Sequence, residues 1–337
     1  MQRNMIKWRR SVLQSPRRLA LPVMTHPGIE KLGATVKQAV CDGDLHFRAI
    51  QVLAETWPTA ASTMIMDLSV EAEAFGATAH LTDHDIPAVK DNIVRSAESI
   101  EKLAVPPLTA GRLPQFLKAA RQAAEAIKDR PVMAGCVGPF SLAGRLYDMT
   151  EIMMDVIEEP EKIHALLEKC TAFLINYVKA FRDAGVSGIF MAEPAAGVLS
   201  PKLCDQFSSA YVKRIVEATQ TDTFVIILHN CGNTGVQNKS MVSTGAWGFH
   251  LGNRNDIAKS LPDFPADALV MGNIDPAGTM KMGSPEQVTS EVSALLAKTA
   301  GAKNFVLSTG CDTPPLVPWK NVEAFFGALD AFNKTRG

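Results

Sequence analysis

The stretch Leu228-His229-Asn230-Cys231-Gly232 ends an apolar run, Phe224 to Leu228, on two soft metal donors. Residues two apart on a strand point to the same side, so His229 and Cys231 can face one ion together. A thiolate and an imidazole suit Zn²⁺. Taken alone, His-x-Cys also describes a histidine and a cysteine buried in a core. Cys311, in Ser308-Thr309-Gly310-Cys311-Asp312-Thr313-Pro314-Pro315, supplies a third soft donor at the end of another apolar run. Glu193, which ends Gly188-Ile189-Phe190-Met191-Ala192, is a candidate fourth ligand or a proton acceptor or donor. Three protein ligands plus an exchangeable position describe a catalytic rather than a structural site. Gly232 and Gly235 let the backbone turn away at once and leave room above the metal. A cysteine-nucleophile hydrolase is the rival chemistry, but parallel side chains suit shared ligation better than proton transfer between them.

These donors need elements to position them. Eight apolar runs end in polar or Gly/Pro residues: 19–28, 62–71, 131–140, 185–194, 223–232, 245–253, 267–276 and 303–315. Helical patterns lie between them. Residues 91–129 hold two, split around Pro106-Pro107, and residues 150–184 break at Pro160. Residues 201–219 and 284–299 each open on Ser-Pro, an N-cap followed by proline at the first helical position. Strands alternating with helices imply parallel βαβ units, and eight of them imply an α/β fold of the (β/α)8 TIM barrel type. Residues 1–18 are then a basic N-terminal helix or arm, and 19–337 a single barrel domain. In a barrel, His26, Asp67, Cys136, Glu193, His229, Cys231, His250, Asp275, Cys311 and Asp312 converge on one mouth. Glu193 and His250 are the catalytic candidates, although His250 also fits a satisfied barrel histidine. His26, Asp67 and Asp312 are candidates for substrate binding. Asp275, and to a lesser degree Asp67, also fit simple turn closure.

Composition narrows the class. A formal net charge of −1 gives no reason to expect nucleic acid as a partner. No run approaches the roughly 18 apolar residues of a membrane span. Six scattered cysteines in a chain with a large core read as free thiols in a reducing cytoplasm. The first acid is Glu30, after Arg3, Lys7, Arg9, Arg10, Arg17 and Arg18. A transit peptide can look like this, but a solvated basic helix or arm is the reading adopted here. No Gly-x-Gly-x-x-Gly or phosphate loop is present.

Met66-Asp67-Leu68-Ser69-Val70-Glu71, Gly138-Pro139-Phe140-Ser141-Leu142, His229-Asn230-Cys231-Gly232, Gly272-Asn273-Ile274-Asp275-Pro276 and Gly310-Cys311-Asp312-Thr313-Pro314 occur in one order. In that order the chain resembles the uroporphyrinogen decarboxylase superfamily. Its likeness is greatest to the zinc-dependent methylcobamide:thiol methyltransferases of the coenzyme M type. The resemblance implies zinc held by His229, Cys231 and Cys311. It also implies a corrinoid (methylcobamide) presented by a separate corrinoid-binding protein, and a small thiol acceptor or methylated donor. The decarboxylases resemble Gly-His-Gly where Cys311 stands here, and their amino-terminal arginine motif has no counterpart in this chain. Asp44-x-His46-x-x-Ala49 approximates a cobalt-ligand motif, but the required glycine is alanine and the stretch is helical, so His46 reads as an ordinary helix residue. The direction of transfer stays open, including a methyl ether or methylamine:corrinoid methyltransferase working in reverse. A decarboxylase-like lyase and a non-enzymatic docking or zinc-storage module are the alternatives. A corrinoid is too large for a filled barrel, so its protein is expected to dock over the mouth, with the basic first 18 residues as a contact.

Overall fold

The computed structural model describes residues 2–335. In chain order its strands are β1 (Ser62–Thr63), β2 (Ala79–His80), β3 (Ala88–Val89), β4 (Val132–Val137) and β5 (Gly188–Ala192), then β6 (Val225–Asn230), β7 (Gly248–Leu251), β8 (Leu269–Ile274) and β9 (Phe305–Thr309). β2 and β3 form a separate antiparallel pair. The others pair in parallel in the order β1-β4-β5-β6-β7-β8-β9. The run at 19–28 closes the circle with very little strand. Leu21 N donates to Leu307 O at 2.8 Å, Leu307 N to Leu19 O at 3.0 Å, and Ala60 N to Ala20 O at 2.8 Å. Pro22 has no N–H to continue the ladder, so this eighth strand shrinks to one bridge. The fold is a (β/α)8 TIM barrel with an N-terminal helical extension.

The helices follow the proline punctuation. Ala97–Lys102 and Leu113–Ala126 flank Pro106-Pro107, and Met149–Glu158 gives way to Pro160–Asp183. Ser200 and Ser284 cap the helices that begin at Pro201 and Pro285.

Strand alternation divides the apolar side chains into two cores. Met133, Phe190, Ala192, Val225, Ile227, Leu269, Met271 and Val306 fill the barrel. Ala134, Cys136, Ile189, Met191, Ile226, Leu228, Val270 and Leu307 pack outward against the helices. This parity decides where each strand-end residue points. His229 and Cys231 continue the inward set of β6. Glu193, one beyond Ala192, continues the outward set of β5.

The N-terminal helix Met5–Leu13 buries Met5, Trp8 and Val12 in the barrel core. Met5 N donates to Asp222 O at 2.7 Å and Trp8 Nε1 to Ala60 O at 3.1 Å. Arg9 pairs with Asp267 at 3.3 Å and lies 4.6 Å from the Trp247 ring centre. Asp222, Ala60, Trp247 and Asp267 all precede strands, so this helix plugs the floor of the barrel. That corrects the expectation of a docking contact over the mouth. The segment is basic on one face only. Its apolar face closes an otherwise open barrel end, which anchors the helix there.

Candidate metal centre

His229 Nε2, Cys231 Sγ and Cys311 Sγ come together at the C-terminal mouth, their donor atoms all within 4.8 Å of one another. Cys311 Sγ is 3.5 Å from His229 Nε2. The other imidazole nitrogen is occupied. His229 Nδ1 lies 2.7 Å from His250 Nδ1 and 3.2 Å from the His250 carbonyl oxygen. His250 Nε2 lies 2.9 Å from Ser308 Oγ. Burial, with His229 beside it, holds His250 far below the ordinary imidazole range, so its ring is neutral. One arrangement satisfies all four contacts. His229 donates from Nδ1, His250 accepts at Nδ1 and donates from Nε2 to Ser308, and His229 Nε2 keeps its lone pair toward the two sulfurs. Histidine ligands are oriented in this way by a partner behind the ring.

The sulfurs are electrostatically unequal. Hydrogen bonding with Cys311 holds the Cys231 thiol far below its ordinary range, with His229 helping and burial opposing. The same bond, together with burial, pushes Cys311 far above. A cation bound between the two sulfurs would displace the remaining thiol proton.

The loops around the donors are packed backbone to backbone. A Cβ on Gly252 would stand 2.5 Å from Cys231 O and 2.6 Å from Cys231 Cα. Asn273, in the Gly272–Pro276 motif, fastens that loop through bonds to Gly252 O at 2.9 Å and Asn255 O at 2.6 Å. Sequence reading missed this support role. Gly235, with φ +121°, is where the chain turns away, whereas Gly232 is needed for its close approach to Gly197.

Glu193 does not join the three donors. Its Oε1 accepts from Phe140 N at 2.8 Å, and its Oε2 from Ser141 N at 2.8 Å and Ser141 Oγ at 2.5 Å. The carboxylate thus caps the helix Pro139–Tyr147, where free N–H groups and the helix dipole favour an anion. Burial raises its pKa against those bonds.

Asp67 is buried and committed, accepting from Ser69 N and Oγ and pairing with Arg112 at 2.5 Å. Asp275 closes its turn by accepting from Ala277 N and Gly278 N. His46 is buried on its helix, and its Nε2 accepts from Ile65 N at 3.1 Å. Cys136 faces the outer core. All six cysteines are free.

His26 and Asp312 retain unused polar atoms. His26 Nδ1 lies 3.0 Å from Thr313 O and 3.7 Å from Asp312 Oδ1. Asp312 Oδ2 accepts from Met66 N at 3.3 Å. His26 Nε2, Asp312 Oδ1 and Thr313 Oγ1 are buried without a hydrogen-bond partner among the described residues. Burial works against a charged His26, but Asp312, Thr313 and Glu30 outweigh it and raise its pKa. Two further groups were not foreseen from sequence. Glu71 accepts from Val137 N at 2.9 Å through Oε1, leaves Oε2 buried without a partner, and is pushed up to about 7 chiefly by burial. Arg145, on the helix capped by Glu193, is within electrostatic reach of Cys231. Neither lies at a strand end, which is where sequence reasoning looked. Among the described residues, no helix is long and apolar enough to cross a membrane.

The chain is 30% identical over 261 residues to a methylcobamide:CoM methyltransferase (MtbA) of Methanosarcina acetivorans, covering 76% of this chain and 75% of that protein. It is 31% identical over 214 residues to a uroporphyrinogen decarboxylase of a Synechococcus species, covering 60% of this chain and 59% of that one. The fold matches a methyltransferase structure from Methanosarcina mazei with a TM-score of 0.87 at 24% identity, over 97% of this chain and 98% of that one. The uroporphyrinogen decarboxylase (URO-D) family matches over residues 18–332, and the chain belongs to that family of enzymes.

Proposed function

We propose that this enzyme is a zinc-dependent corrinoid methyltransferase that moves a methyl group from a methylcobamide on a partner protein to a small thiol. The observation that carries the reading is the convergence of His229 Nε2, Cys231 Sγ and Cys311 Sγ at the barrel mouth. The donor set fits zinc: one imidazole nitrogen with its other nitrogen engaged, and two thiol sulfurs within 4.8 Å of it and of each other. His229, Cys231 and Cys311 would hold the ion and leave it able to take a substrate ligand. When bound, zinc lowers the pKa of a coordinated thiol and so makes it a nucleophile near neutral pH.

The chain's own residues supply the rest. His250 and Ser308 hold the His229 ring so that Nε2 faces the donors. Gly252 and Asn273 hold the Cys231 loop. The orphan atoms of His26 and Asp312 offer the substrate polar contacts on the side of the mouth next to Cys311. The filled barrel interior keeps the site at the surface of the mouth, so the methyl carbon must be presented from outside by the partner. The carbon–sulfur bond forms as the cobalt–carbon bond breaks, the electron pair stays with the corrinoid, and the thiol proton leaves to solvent. Free thiols and the lack of an apolar spanning helix among the described residues accord with a cytoplasmic setting.

The relatives at similar identity include decarboxylases as well as methyltransferases. The second cysteine at the mouth favours methyl transfer, because decarboxylation of a tetrapyrrole has no need of two thiolates. The test combines metal analysis with spectroscopic demethylation of free methylcobalamin in the presence of thiols. The expected outcome is one zinc per chain and thiol-dependent demethylation, with both strongly reduced in Cys231→Ser and Cys311→Ser. Wild-type zinc content in both variants would sink the assignment. Zinc without turnover on any thiol or methyl ether would favour a storage or docking module.

A further inference from the structure

The connection between β4 and β5 carries an apolar face apart from the metal centre. Its helix Met149–Glu158 buries Ile152, Asp155 and Val156. It turns Met154 and Ile157 outward, 45% and 71% exposed, with Met149 at 37%. Among the described residues this is the one element with more than one large apolar side chain so exposed; the others stand singly on different segments. Soluble proteins seldom leave a contiguous apolar face open without a use for it. Beside this helix lies a cavity of about 730 Å³, with Ala97, Ile100, Pro160 and Ala165 in its walls. The charge around it is one-sided. Glu101, Glu158 and Glu161 line the cavity, and Glu151 is a helical neighbour of Met154 and Glu158. These four carboxylates have no ion-pair partner among the described residues, because the two lysines of the cavity are taken. Lys162 pairs with Asp155 at 2.8 Å and Glu159 at 3.1 Å. Lys169 donates to the Glu101 and Leu103 carbonyl oxygens, both at 2.6 Å.

We infer that this face docks a basic amphipathic helix of a partner protein. The partner's apolar side chains enter the cavity and cover Met154 and Ile157, and its lysines and arginines meet the four unpaired glutamates. An apolar groove takes such a helix through residues spaced i, i+3, i+4 and i+7, and unbranched methionines adapt to what enters. The charge decides between occupants. A second copy of this chain, placed about a twofold axis, would bring the same glutamates face to face. An anionic membrane surface would be repelled by them. A cationic helix is complementary on both counts, apolar at the centre and basic at the rim.

The test uses the full-length protein and two labelled 18-residue peptides. Both carry leucine at the spacing above, one with lysine and the other with glutamate at the remaining positions. Fluorescence anisotropy is expected to show binding of the lysine peptide that weakens with salt, and none of the glutamate peptide. Ile157→Glu lowers affinity by about tenfold or more, as loss of a central apolar anchor does. The double variant Glu158→Lys and Glu161→Lys lowers it by roughly tenfold. Val198→Glu, at an exposed apolar residue on another segment, leaves it unchanged. Should Ile157→Glu fail to fold, the lysine double variant on exposed side chains decides the matter. Equal binding of the two peptides, or wild-type affinity in Ile157→Glu and in the double variant, would overturn the inference. So would a wild-type dimer that Ile157→Glu splits in sedimentation, which would give the face to a second copy. Binding to phosphatidylserine vesicles that is lost in Ile157→Glu would overturn it in favour of a membrane.

Discussion

At the scale of single residues, the site is built from groups whose protonation is set by where their second atom goes. His229 can serve as a ligand because its Nδ1 is tied to His250, and His250 is neutral because it is buried beside another imidazole. Glu71 is the contrasting case, a buried carboxyl with one bonded oxygen and one orphan. Its folded-state pKa is pushed up from 4.5 to about 7. The folded protein therefore holds this proton more tightly than the unfolded chain. The neutral form stabilises fully below about pH 4.5, and that contribution is lost as pH rises toward 7. A shift of this size corresponds to roughly 3 kcal/mol. Glu71→Gln removes the titration, so its melting temperature should fall by several degrees less than that of wild type between pH 5 and pH 8. Parallel pH profiles for the two proteins would show that another group controls this range.

At the scale of elements, one residue of register separates a side chain aimed at the mouth from a helix cap. Sequence reading aimed Glu193 into the mouth because it ends a strand. In the barrel, Ala192 takes the inward place and Glu193 turns to the N-terminus of Pro139–Tyr147. The expected consequence is that Glu193→Gln keeps its zinc but loses stability. An amide offers one acceptor oxygen where two serve three donors, and loss of a bond to a charged group costs about 2 kcal/mol. Thermal denaturation and metal analysis on the same samples check this. Loss of zinc at unchanged stability would return Glu193 to the metal. Gly138 enforces the arrangement, since a Cβ there would lie 2.2 Å from Glu193 Cγ.

At the scale of the whole molecule, the two ends of the barrel have separate tasks. The mouth carries the donors, and the floor is sealed by Met5, Trp8 and Val12 of the N-terminal helix. Removing residues 2–14 should expose that floor and lower stability by on the order of 5 kcal/mol, from the burial lost by three apolar side chains. Activity on free methylcobalamin and on a corrinoid protein should fall together, in step with the unfolded fraction. A selective loss with the protein partner, at unchanged melting temperature, would restore the docking role. The basic residues of this helix follow from its position, with Arg9 reaching Asp267 and Trp247 at the strand starts.

The periodic alternation of apolar runs and helical patterns is a local property, so the barrel was legible from sequence. The prolines and Ser-Pro caps that bound its helices were legible for the same reason. The convergence of His229, Cys231 and Cys311 was legible because His229 and Cys231 share a strand parity, and Cys311 ends another run. What needed tertiary structure was every relation across elements. The fate of the first run depended on Leu307 meeting Leu19 and Leu21 on either side of a single bridge, with Pro22 blocking the rest. The direction of Glu193 depended on which alternate residues of β5 the barrel took inside. Arg145 and Glu71 became visible as site groups only once the helices after β4 and β1 were folded over the mouth. Position in sequence says which side of its own strand or helix a residue occupies. Only packing against the other elements decides whether that side meets the core, a helix terminus or the substrate.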